Sequence, residues 1–213
     1  MTRGRFIALE GGEGTGKSTQ AKMLAEALAA RGLDVELTRE PGGTPGAEAI
    51  RALLLDPPGE GWGAPAEALL FAAARADHVA RRIRPAIEGG QWIVCDRFVD
   101  SSRAYQGGAG GLGDDAVRAL HDIGSGGLRP DLAVLIDVPS EVATERLAVR
   151  DAGRADAIGG RDAGYHAQVA EAFRGFAAAE PDGFAMIDGT GTPEEVHTRV
   201  LTAIEPLLRG VSA

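Results

Sequence analysis

Apolar positions along the chain switch between two periods, and the switching sets an order of elements. Arg5 to Glu10 is a short apolar run that reads as a strand and breaks at Gly11-Gly12. From Ser18 to Arg31, Met23, Leu24, Ala27 and Leu28 fall on one helical face, and Gly32 ends that helix. Val35 and Leu37 begin a second strand, cut off at Arg39-Glu40-Pro41-Gly42-Gly43, where proline and glycines force a loop. The spacing then predicts a short helix over 47–55, a turn-rich link over 56–63 and a long helix over 66–88. Pro85 should kink or end that helix, because it has no amide donor and crowds the turn before it. Continuous apolar runs over 92–95 and 132–138, and a weaker one over 184–187, fit strands buried on both faces. Helical patterns follow over 140–150, 165–180 and 193–208, while the glycine-dense segments 107–113 and 124–127 read as surface loops. Strands alternating with helices, with no internal repeat, imply an α/β fold. The expected architecture is three layers, α/β/α, around a parallel sheet of about five strands.

The 213 residues suit a single domain spanning 1–213, and 44% hydrophobic with 25% charged residues is an ordinary globular balance. The net charge of -9 argues against nucleic-acid binding by a broad basic face, since such a surface repels phosphate backbones. A small phosphorylated ligand stays possible, because a few Arg and Lys side chains can reverse the field locally. The single cysteine, Cys95, sits inside the apolar run Trp92-Ile93-Val94-Cys95 and reads as a buried small hydrophobe; one cysteine cannot make a disulfide framework. The N-terminal apolar run is too short for a signal peptide or a membrane span, so no membrane contact and a cytoplasmic location are expected.

Gly11-Gly12-Glu13-Gly14-Thr15-Gly16-Lys17-Ser18 fits the phosphate-binding pattern G-x-x-x-x-G-K-[ST] at every fixed position, after a strand and before a helix. The glycines let backbone amides turn inward onto phosphate oxygens, and the start of the helix offers free N–H groups to an anion. Lys17 can reach the outer phosphates of a nucleotide as a point charge, and the Ser18 hydroxyl is placed for Mg²⁺. Of the 22 basic residues only Lys17 and Lys22 are lysine, so a lysine in this slot carries weight that a single arginine in this arginine-rich chain does not.

Phosphate-loop folds host many functions. No Asn-Lys-x-Asp guanine-reading motif is possible, because no lysine follows position 22, and the length leaves no room for transporter or helicase modules. A small kinase remains. Ligands of parallel sheets bind beyond the carboxyl ends of the strands. There the first strand feeds the glycine loop, the second feeds Arg39-Glu40 and the third feeds Asp96-Arg97. Arg39 and Arg97 together suit a second phosphate, although either alone would read as a surface ion pair. Asp96, ending an apolar strand, stands where a carboxylate holds Mg²⁺ directly or through water. Phe71 and Arg75 share a helix face: they fit either a base-stacking aromatic with a hydrogen-bonding guanidinium, or a core phenylalanine beside a snorkelling arginine.

Several stretches together resemble the thymidylate kinase family and occur in its order along most of the chain. They are Glu10-Gly11 through Lys17-Ser18-Thr19-Gln20, Thr38-Arg39-Glu40-Pro41-Gly42-Gly43, Phe71 to His78, Asp96-Arg97-Phe98, Ser101 to Gly107, Arg129-Pro130-Asp131-Leu132, and the strand ending at Asp137. The resemblance implies transfer of a phosphoryl group from ATP to dTMP with Mg²⁺, in a homodimer. It implies that Gly11 to Thr19 hold the nucleotide, with Ser18 and Asp96 at the metal. Phe71 would stack on thymine and Arg75 bond its carbonyl, while Arg39 and Arg97 would bind the dTMP phosphate. Ser101, Ser102 and Gln106 would line the base pocket, Tyr105 would sit against the sugar and disfavour a ribose 2′-hydroxyl, and Glu13 would point toward the acceptor sugar or metal.

One segment departs from the family. In the lid, about 150–162, the stretch Asp156-Ala157-Ile158-Gly159 has alanine where Asp-Arg-x-Glu would supply an arginine. The expected catalytic cations are therefore Lys17, Arg97 and a replacement lid arginine, with Arg154 placed ahead of Arg161 and Arg150. Two rival readings stay open: a kinase for another nucleotide or a deoxynucleoside, and a nucleotide-dependent switch that hydrolyses slowly.

Overall fold

The structure is a computed structural model that describes residues 3–151 and 157–209, with the side chains of residues 150 and 151 left aside. Five strands form one sheet: β1 Phe6–Glu10, β2 Val35–Arg39, β3 Trp92–Asp96, β4 Leu132–Asp137 and β5 Phe184–Asp188. Their order is β2-β3-β1-β4-β5 and every pairing is parallel. The expected three-layer architecture is thus present.

Burial on both faces follows from the period of the central strand. Ile7 and Leu9 point to one side, where they pack with Leu24 and Leu28 of α1 (Lys17–Ala29) and with Val196, Val200 and Ile204 of α9 (Pro193–Leu208). Phe6 and Ala8 point to the other, against Val79, Ile83, Phe98 and Val99. A further cluster, with Phe173 and Val169 of α8 (Ala163–Ala179), closes the sheet beyond β4. Cys95 is buried on β3; its thiol contacts the Arg97 carbonyl at 3.0 Å, and burial pushes its pKa well up.

Two expectations need correction. The helix over 66–88 is α3 (Ala64–His78), then a widened turn of π type at Val79–Ile83, then α4 (Arg84–Glu88). Pro85 lies in the first turn of α4, where a missing amide costs least, so the chain continues through it. The glycine-dense segments are not simply surface loops. Between β3 and β4 the chain forms α5 (Val99–Ser102), a second π-type stretch at Arg103–Ala109 that includes buried Gly107, and α6 (Asp114–Ser125), which takes in Gly124. A Cβ on Gly107 would come within 3.2 Å of the Gly113 carbonyl, so this glycine serves close packing. The remaining helices, α2 (Pro45–Leu55) and α7 (Ser140–Asp151), follow the sequence reading closely.

Leu24 is fully buried between sheet and helices. Leu24→Ala should therefore cost about 2–5 kcal/mol in urea unfolding without changing the denaturant slope.

Candidate active site

The carboxyl ends of β1, β3 and β2 open into one cavity of about 640 Å³. β1 delivers the glycine loop. Gly11, Gly14 and Gly16 have φ of 141°, 73° and 95°, and a Cβ on Gly11 or Gly14 would strike a backbone carbonyl at 2.5 Å. Gly16 caps α1 with no side-chain bond, which leaves the first helical amides free for an anion. Lys17 folds back onto the loop, bonding the Gly12 carbonyl and, at 3.3 Å, the Thr15 hydroxyl. Burial, together with the charge of Arg97, lowers its pKa to about 8. Such a pKa leaves the ammonium poorly supported until a phosphate arrives. Glu13, Gly14, Gly16, Lys17, Ser18 and Thr19 line the cavity; Thr15 instead pins the loop, donating to the Gly12 carbonyl at 3.1 Å.

β3 delivers Asp96 and Arg97. The Ser18 hydroxyl donates to Asp96 Oδ2, and Asp96 Oδ1 is buried with no hydrogen-bond partner. Two hard oxygens side by side, one of them unsatisfied, fit a small divalent cation. Arg97 has φ of 71°, in the left-handed region. Its guanidinium donates to Glu13 at 2.6 Å, Ser101 at 3.1 Å, the Gly11 carbonyl at 3.2 Å and the Tyr105 hydroxyl at 3.3 Å, and lies 5.1 Å from the Tyr105 ring centroid. Burial opposes its charge, but Tyr105, Glu13, Asp96 and Glu10 outweigh it and raise its pKa above the ordinary value.

β2 delivers Arg39 and Glu40. Arg39 lines the cavity but is half exposed and ion-paired with Glu48 at 3.0 Å, so a ligand would have to draw it off that partner. Phe71 and Arg75 of α3 both line the cavity, and Phe71 also packs against the core cluster around Phe173. Arg75 is buried; it pairs with Glu40 at 2.7 Å and donates to the Ser102 hydroxyl at 2.9 Å. Burial works against the Glu40 charge, yet Arg75 and His78 hold its carboxyl below the usual range. Ser101, Ser102, Tyr105 and Gln106 complete the same wall. Tyr105 stands with its hydroxyl 3.5 Å from Glu13, and burial raises its pKa.

The lid arginines divide. Arg154 lies outside the described residues, and so does the side chain of Arg150. Arg161 is turned to Glu67 and the Tyr165 hydroxyl, away from the glycine loop, because a buried carboxylate is the stronger local partner. The loop is instead approached by Arg146 of α7, which donates to the carbonyls of Thr15 at 3.4 Å and Gly189 at 3.0 Å. Arg146, Arg51, Leu55 and Ile158 line the cavity but are not among the site residues expected from the sequence. Leu55 closes the predicted helix 47–55 at the cavity, and Ile158 lies in the lid stretch that departs from the family pattern.

Glu10 is the other residue missed. Its carboxylate accepts from the amides of Phe98 at 2.8 Å and Ser101 at 3.3 Å and from the Ser101 hydroxyl at 2.6 Å. It therefore fixes the turn that carries Arg97 into α5.

The comparisons with known proteins agree with this geometry. A family model for thymidylate kinase matches residues 9–200. The chain belongs to the thymidylate kinase family. Among its relatives, the thymidylate kinase of Rhizorhabdus wittichii is 60% identical over 205 residues, covering 96% of this chain and 99% of the relative. The thymidylate kinase of Bradyrhizobium sp. (strain ORS 278) is 48% identical over 213 residues, covering 99% and 94%. A crystal structure of thymidylate kinase from Ehrlichia chaffeensis superposes with a TM-score of 0.76 at 29% identity, covering 95% of this chain and 99% of that one. Within this thymidylate kinase family member, the motifs around Lys17, Arg39, Phe71, Arg97 and Ser101 supply residues of the cavity wall, whereas Arg129 and Asp131 make ion pairs elsewhere and Asp137 pairs with Arg174.

Burial and the nearby Asp100 raise the Glu10 pKa to about 7, above an unfolded value near 4.5. The folded state thus binds the extra proton between these limits, and the stability it confers is full below pH 4.5 and lost as pH rises through 7. Relative to Glu10→Gln, which does not ionise, the wild type should lose on the order of 3 kcal/mol across that window in pH-dependent thermal unfolding.

Proposed function

We propose that the chain transfers the γ-phosphoryl group of ATP to dTMP, giving ADP and dTDP. The observation that supports it best is a single cavity lined both by the glycine loop with Lys17 and by the cations Arg97 and Arg39. A second anion site beside a phosphate loop suits a phosphorylated acceptor, and the aromatic and guanidinium wall of Phe71 and Arg75 suits a pyrimidine with a carbonyl edge. Family membership points to the same acceptor.

Each residue has a part that its geometry suits. The free amides of the glycine loop and the start of α1 hold the donor phosphates, and Lys17 swings from the Gly12 carbonyl to their outer oxygens. Arg97 and Arg39 hold the acceptor phosphate, with Glu13 setting the direction of the Arg97 guanidinium. An acceptor oxygen attacks the γ-phosphorus, the bond to the β–γ bridging oxygen breaks, and ADP leaves. The acceptor is already an anion, so positioning and charge neutralisation replace base catalysis. Tyr105, buried against Arg97 and Glu13, walls the sugar position, where it disfavours a 2′-hydroxyl. Ser101, Ser102 and Gln106 meet the acceptor from α5 and the π-type stretch that follows it. Ser18 and Asp96 would hold Mg²⁺. Bound there, the metal would offset negative charge on the donor phosphates.

The homodimer and the cytoplasmic location belong to the same proposal and rest on the family. No helix among the described residues is long and apolar enough to cross a membrane.

Coupled ADP release against a panel of monophosphates tests the reading. Fast turnover with dTMP, weak turnover with dUMP and none with AMP or GMP is expected; equal rates across the panel would remove the thymine pocket. The Arg97→Ala variant should lose about 10²–10³ in kcat/KM for dTMP while thermal shift by ATP persists. Sedimentation at micromolar concentration should return twice the chain mass.

A further inference from the structure

Glu67, Phe71 and Arg75 recur every four residues along α3 and so share one face. Phe71 and Arg75 line the cavity, and Glu67 stands buried behind it. Its two carboxylate oxygens serve different segments. Oε1 accepts from Gln106 Nε2 at 2.8 Å, and Oε2 accepts from Arg161. Arg161 also lies 4.6 Å from the Tyr165 ring centroid and donates to the Tyr165 hydroxyl, which donates in turn to the Tyr105 carbonyl at 2.7 Å. Three residues before Arg161, Ile158 is buried and forms part of the cavity wall. The Ala157 amide bonds the Leu55 carbonyl at 3.4 Å. Residues 157–161 therefore lean on the acceptor half of the cavity, and Glu67 joins them to its floor.

We propose that Glu67 is a positioning residue for the acceptor: it fixes the Gln106 amide and, through Arg161, anchors the 157–161 arm that brings Ile158 to the pocket wall. Each link is a hydrogen bond to a buried charge, the kind whose removal leaves an unsatisfied partner. Without the anchor, acceptor binding has to order the arm, and that cost enters dTMP affinity alone. The inference rests on the reading of this cavity as a dTMP site.

A double-mutant cycle on the full chain tests it, with Arg161→Ala, Glu67→Ala and the pair. Arg161 is partly exposed, so its variant should fold even if Glu67→Ala does not. Arg161→Ala should raise KM for dTMP about tenfold with KM for ATP close to wild type, and should lower Tm by a few degrees because the buried Glu67 carboxylate loses a partner. Glu67→Ala should raise it further, because Gln106 is also released, and the double variant should be no worse than Glu67→Ala. Arg161→Lys should recover part of the loss. An Arg161→Ala enzyme with a wild-type KM for dTMP, equal rises in both KM values, or fully additive effects would overturn the inference while leaving the function intact. A wild-type enzyme that does not phosphorylate dTMP would overturn both.

Discussion

Arg97 is the residue on which the arrangement of the site depends, because a guanidinium largely withdrawn from water must be surrounded by acceptors before any ligand arrives. Its backbone sits in the left-handed region, a conformation that costs about 1–3 kcal/mol for a residue other than glycine. That cost is met by an amide bond to the Leu9 carbonyl at 2.9 Å and by Glu10, which takes the next free amide and the Ser101 hydroxyl. The same kink turns Asp96 toward Ser18 and starts α5 with Ser101 and Ser102 facing the cavity. The glycine loop, the Ser18–Asp96 pair and the Ser101–Ser102 side of the cavity thus share one bend in the chain between β3 and α5.

The chain is acidic overall, yet its cleft gathers Lys17, Arg39, Arg51, Arg75, Arg97 and Arg146. Carboxylates set just behind the cations reconcile the two. Glu13, Asp96, Glu40 and Glu48 stand against Arg97, Lys17, Arg75 and Arg39 and offset part of that positive charge before any ligand arrives. The arginine-rich composition acquires a structural use in a second network. Buried Arg103 pairs with Asp100, Asp114 and Glu180 at 2.7–2.8 Å and lies 3.9 Å from the Phe176 ring centroid, tying the π-type stretch to α6 and α8. A planar fork with five donors can satisfy three carboxylates at once, which a lysine ammonium on a flexible stem does less well.

What was legible in the sequence was local. The glycine loop, Arg39 and Asp96-Arg97 are each announced by the residues beside them, and the alternation of elements placed all three at one edge of the sheet. The order of the strands and the partners of each cation were not legible. Glu67 and Arg161 are 94 positions apart, and Arg146 reaches a loop 131 positions away, so no spacing rule connects them. The segment from Val99 to Ser125 failed for a different reason. Its glycines have poor helix propensity, and tertiary packing overrides that propensity where Gly107 must lie close against the Gly113 backbone. Phe71 and Arg75 were ambiguous because a core stripe and a ligand-facing stripe have the same period, and Phe71 in fact touches both the core and the cavity.

Cys95 has a practical consequence. The thiolate is the reactive form of cysteine, and this one is kept protonated and enclosed within the central sheet layer. With no other sulfhydryl in the chain, the folded enzyme is a silent background for thiol-directed dyes and spin labels. A single cysteine placed on any exposed position would then carry a probe to that position alone, and the distance between two such probes could be followed through a turnover cycle without first rebuilding the core.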